Sequence, residues 1–105
     1  MPNMNRTEFI TAGDCEPVGE IAPGAVVRVL ANEDKGARGL TTGMATLSPG
    51  AMIPYHMHPT REAITLVGGD ADVLVEGRRY RLHRHDSIHV PAGVAHAVRN
   101  PASSL

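Results

Sequence analysis

His56 and His58 stand two residues apart in the stretch Met52 to His58, which reads as a strand. On a strand that spacing puts both imidazoles on one face, with about 7 Å between their Cα atoms. Such a pair suits chelation of a metal ion, and it also suits a solvated face. Pro59 and Thr60 bend the chain and Glu62 opens the next strand, so its carboxylate is able to swing back toward the two imidazoles. Three donors then come from seven consecutive residues, in a mixture of imidazole and carboxylate that divalent transition metals accept. A fourth donor has to come from elsewhere. His96 follows the turn Pro91-Ala92-Gly93 in an apolar setting and is well placed for it, its other reading being a buried structural histidine.

The elements that must position these residues are short strands. Eleven glycines and eight prolines in 105 residues punctuate the chain too often for long helices, and no segment sustains helical periodicity over three turns. Strands are expected over Glu8 to Thr11, Gly24 to Ala31, Arg38 to Leu47, Met52 to His58, Ala63 to Val67, Ala71 to Glu76, Arg79 to His83, Ser87 to Val90 and Val94 to Arg99. Turns fall at Ser48-Pro49-Gly50, Gly68-Gly69, Glu76-Gly77-Arg78 and Pro91-Ala92-Gly93. The pattern predicts an all-β domain of sandwich or barrel type, spanning residues 1–105 as one unit.

The run from Gly50 to Glu62, Gly-Ala-Met-Ile-Pro-Tyr-His-Met-His-Pro-Thr-Arg-Glu, continues to Gly69 and resembles the first cupin motif. Pro91 to Asn100 resembles the second, so the core motifs cover residues 50–69 and 86–100. One position departs: His85 stands where the second motif usually opens with glycine, and histidine has to adopt the turn's positive φ there. The resemblance implies a small jelly-roll β-barrel of two antiparallel sheets. It also implies one divalent transition metal ion (Fe, Mn, Ni, Cu, Co or Zn) on His56, His58, Glu62 and His96. Sites of this kind support dioxygenases, lyases and isomerases acting on small organic substrates; the competing expectation is a non-catalytic sensor of a metal or small ligand.

Composition narrows the partners. A formal charge of -1 and arginines scattered from Arg6 to Arg99 argue against nucleic acid and anionic membranes. Cys15 is alone, and Met1 to Ile10 holds no apolar core of signal-peptide length, so a cytoplasmic protein is expected. His83 and His85 run with Arg81 and Arg84 as a solvated edge, and His89 faces away from whichever side Ile88 and Val90 bury. If Glu62 points inward, Ile64 and Leu66 share its face; if His96 does, Val94 and Val98 do too. A roomy, mostly apolar pocket for a small molecule is expected over the metal, with Arg61 at its rim. In the resembled family a further apolar strand follows the position of Asn100, where this sequence has Pro101 to Leu105. An uncovered edge invites a homodimer in which Glu8 to Thr11 or Gly24 to Ala31 is lent to a second copy.

Overall fold

A computed structural model of the chain describes residues 10–102. Its strands are β1 (Gly19–Ala22), β2 (Ala25–Ala31), β3 (Thr42–Leu47), β4 (Met52–His56), β5 (Glu62–Thr65), β6 (Ala71–Val75), β7 (Arg78–Leu82), β8 (Ser87–Val90) and β9 (His96–Arg99). Two single-turn 3-10 helices, Gly13–Cys15 and Glu33–Lys35, precede and follow the first hairpin. The strands are set by β-branched and aliphatic runs, and their ends by residues that leave the extended region. The hairpin between β6 and β7 turns on two residues, Glu76 (φ 48) and Gly77 (φ 84), both left-handed as a tight two-residue turn requires.

Every ladder is antiparallel, as in a jelly roll. The strands form three hydrogen-bonded sheets, in the orders β1-β2-β3, β4-β9-β6-β7 and β5-β8, where two were expected, and they do not close into a barrel. The corners explain the division. Ser48 to Ala51 closes a turn through Ala51 N–H to the Ser48 carbonyl at 2.9 Å, which takes the chain out of the sheet of β3 before β4 begins. Asn100 clamps this corner: its side-chain amide donates to Leu47 O at 2.8 Å, and its backbone exchanges hydrogen bonds with Gly50 and Ala51. Pro59, which has no N–H to contribute to a ladder, lies between β4 and β5.

Several expected boundaries move. β1 was not anticipated; of the strand expected over Glu8 to Thr11, Glu8 and Phe9 lie outside the described residues and Ile10 and Thr11 are not in a strand. β3 starts at Thr42 because Gly39 (φ 72) bends the chain before it. β4 stops at His56, so His58 belongs to the loop that follows, and β9 begins at His96 itself. The buried apolar residues are Ala25, Ala71, Val73, Leu82, Val90 and Ala97, a thin core in which three of six are alanine. Asp72 and His96 are the buried polar residues, so the interior of the four-stranded sheet is also where the chemistry lies.

Candidate metal centre

The register of the four-stranded sheet brings two of the donors face to face. His56 on β4 is directly opposite His96 on β9, while Ile53 is opposite Val98. Three residues on β4 therefore match two on β9, which is a β-bulge at Pro54-Tyr55. The extra residue turns His56 onto the same face as Ile53, against strict alternation. Pro54 is tolerated because β4 is an edge strand of its sheet. Glu62 opens β5 opposite Val90, and the loop of Pro59 to Arg61 lets its carboxylate meet His58 and His96.

Donor atoms from His56, His58, Glu62 and His96 all lie within 4.8 Å of one another. Four ligands about 2.1 Å from one ion stand roughly 3 to 4 Å apart, so small side-chain adjustments close the set around a metal. The tautomers also fit. His56 Nδ1–H donates to Pro54 O at 2.8 Å and His96 Nδ1–H to Val94 O at 2.9 Å, which leaves each Nε2 free for an ion. Glu62 Oε1 is 2.7 Å from His96 Nε2 and 3.5 Å from His58 Nε2. The carboxylate thus stands beside both Nε2 atoms, where an arriving cation would take all three groups as ligands. The cluster is open on one side only: the side chain of His96 is 1% exposed, those of His58 and Glu62 41% and 38%.

A family model described as Cupin domain matches residues 43–104, more than half of the chain. The chain belongs to the cupin family. Among solved structures, an RmlC-like cupin from Shewanella frigidimarina matches this cupin with a TM-score of 0.79 at 23% identity, over 90% of this chain and 81% of that one. KdgF from a Halomonas species matches with a TM-score of 0.73 at 21% identity, over 86% and 79%. The oxalate decarboxylase of Bacillus subtilis, described with Mn(II) centres, matches at 0.72 and 20% identity, over 84% of this chain but 25% of its own. These likenesses are of fold. Comparison with curated proteins gives no match.

The remaining histidines of this cupin stay outside the cluster. His89 pairs with Ala63, on the opposite face of β8 from Ile88 and Val90, and it is exposed. His83 and His85 are exposed in the turn before β8, where Asp86 accepts a hydrogen bond from His83 N–H at 2.8 Å. His85 takes φ 77, the left-handed geometry expected where the motif usually has glycine. Ile64 and Leu66 do follow Glu62 inward, with Ala63 and Thr65 exposed between them. Arg61, adjoining Glu62, is exposed. Two clefts among the described residues have volumes near 430 and 730 Å³. They lie against β2 and β3 and at the Ser48 corner, and neither is lined by a ligand residue.

Sequence reading missed one ionic group. Asp72, fully buried on β6, is directly opposite Arg81 on β7 and Arg99 on β9 and bonds to both guanidinium groups. The Arg81 hydrogen bond, followed by that from Arg99, holds the carboxyl below its usual range despite burial. Arg81 is raised in turn by the same bond. The triad lies on the face of the sheet opposite His96, since Val75 and Val73 share the face of His96 and Asp72 alternates with them. It fastens the three strands behind the cluster.

Proposed function

We propose that this cupin holds one divalent transition metal ion through His56, His58, Glu62 and His96 and uses it to act on a small organic molecule, as a dioxygenase, lyase or isomerase does. The observation that carries the reading is the pair of imidazoles His56 and His96, each with Nδ1 fixed on a backbone carbonyl and Nε2 turned toward Glu62 and His58. A bound ion would supply Lewis acidity, or redox chemistry if it were iron or manganese. The chain's own part is to orient the donors, to leave the His58 and Glu62 side open to an incoming molecule, and to surround the rest with Ile53, Ile64, Val73 and Val98. Manganese is a sensible first ion to supply, since a structural neighbour is described with Mn(II) centres. A cytoplasmic setting remains part of the proposal; among the described residues no helix is long and apolar enough to cross a membrane.

Elemental analysis of the protein purified from its own host, followed by a substrate screen with the metal found, tests this directly. One equivalent of a transition metal with turnover of a small organic substrate is the expected result. Metal bound in stoichiometric amount without turnover would make the chain a sensor. Equal metal content in the wild type and the His56→Ala/His58→Ala double variant would remove the site altogether.

A further inference from the structure

The ladders place one more charged residue on the metal side of the sheet. Directly paired residues in antiparallel strands put their side chains on the same face. His56 pairs with His96, His96 with Val75, and Val75 with Arg78, so these four residues form a single row across β4, β9, β6 and β7. The next row on this face is Ile53, Val98, Val73 and Tyr80. In the paired register of this sheet, Arg78 and Tyr80 are thus the polar side chains that share the face of the two histidines. Two strand spacings separate Arg78 from His96, about 10 Å between their Cα atoms, a gap that an extended arginine side chain crosses in large part over Val75.

Two further observations bear on Arg78. It is exposed and, like Arg61, has no ion-pair partner among the described residues, so its charge is available to a ligand, whereas Arg28, Arg81 and Arg99 each have a carboxylate. Its position is also fixed relative to the cluster. The hairpin tip just before it is tied by Glu76 N–H to Ala95 O and by Gly77 N–H to the Tyr55 hydroxyl, each at 3.1 Å. Ala95 and Tyr55 immediately precede His96 and His56. The backbone at Arg78 is thereby held to the two residues that lead into the metal donors.

We infer that Arg78 is a specificity-determining residue: it receives the carboxylate of a small organic acid whose other oxygens ligate the metal. The inference rests on the proposed metal site and names its substrate class, a dicarboxylate or a hydroxy or keto acid of a few carbons. From the sequence, Arg61 is the arginine expected at the rim of the site. Arg61 immediately precedes Glu62 on the loop into β5, outside the row of His56, His96, Val75 and Arg78, so the register favours Arg78.

The test uses full-length protein loaded with Mn(II), with metal content measured first and binding of acetate, malonate and succinate measured by calorimetry. Wild type should bind at least one of the dicarboxylates about tenfold more tightly than acetate, the size of effect expected for one charge-assisted contact. Arg78→Met should lose that preference with its manganese content unchanged, Arg78→Lys should recover part of it, and Arg61→Met should keep it. Retention of the preference in Arg78→Met, or its loss in Arg61→Met instead, overturns the inference and leaves the metal site standing. A wild type that takes up no stoichiometric metal overturns the site, and the inference with it.

Discussion

His96 differs from the other three donors in being buried, and the difference should be measurable. His56→Ala, His58→Ala and His96→Ala should each lower metal content sharply, while Glu62→Gln, which keeps an oxygen donor, should retain part of it. His96→Ala should also destabilise the metal-free fold by about 1 to 3 kcal/mol, because it empties a filled interior position and strips Glu62 of its 2.7 Å partner. Half-exposed His58 should cost less than 1 kcal/mol or so in the same urea titration. A second expectation follows from ligation by imidazoles, which coordinate only when neutral. Metal uptake should release protons and weaken with acidity, since proton and ion compete for the same nitrogens. Calorimetry in buffers of differing ionisation enthalpy checks this, and an uptake enthalpy independent of the buffer would count against it. At this scale the sequence was informative: the four residues gathered by the structure are those the two motifs single out, because ligand spacing within a motif is local. Arg78 was not legible, since its place depends on a row spanning four strands that are not consecutive in the chain.

At the scale of elements, the pairing of β6 with both β7 and β9 is fastened by Asp72. Its carboxyl titrates below the ordinary value of 3.8, so its contribution is fully present above that value and is lost as pH falls through the lower, folded-state value. The wild type should therefore lose stability as pH falls below the ordinary carboxyl value of 3.8, with a slope that Asp72→Asn lacks. Asp72→Asn should also melt a few degrees lower at neutral pH, where Arg81 and Arg99 lose their shared counter-charge. Thermal melts across pH decide it; identical acid slopes in the two proteins would show that the triad carries no such linkage. Strand existence was well anticipated from β-branched runs and glycine or proline breaks. What period-two reasoning could not supply is the bulge at Pro54-Tyr55: a strict alternation puts Met52 with His56, whereas the ladder pairs Met52 with Arg99, on the face of Asp72. The turn at His85 was foreseeable because the motif requires positive φ there whatever residue fills it.

For the molecule as a whole, the apolar surface is uneven. Ile21, Val29, Leu40 and Met44 are exposed on or beside the β1-β2-β3 sheet, and β3 is exposed along Thr42 to Thr46. With a core this thin, a homodimer that covers that sheet is the expected solution state. The central strand β2 already pairs with β1 and β3, so it has no edge to lend, and association should proceed through apolar faces or the edges of β1 and β3. Sedimentation should show a dimer at micromolar concentration and a shift toward monomer in either Val29→Lys or Met44→Lys, which lie on opposite faces of that sheet and so tell which face is covered, with metal content unchanged; a wild-type monomer would refute the arrangement. The hydrogen bonds of His56 to Pro54 O and of His96 to Val94 O have a wider bearing. Each imidazole takes its orientation from the backbone two residues upstream, so no neighbouring side chain needs to be retained for the donors to face the ion. Residues such as Ile53, Ile64, Val98 and Arg78 are then free to vary without cost to metal ligation. A library randomised at those wall positions should yield members that keep the metal almost throughout while differing in the acids they bind, which makes this short chain a tractable starting point for redirecting specificity.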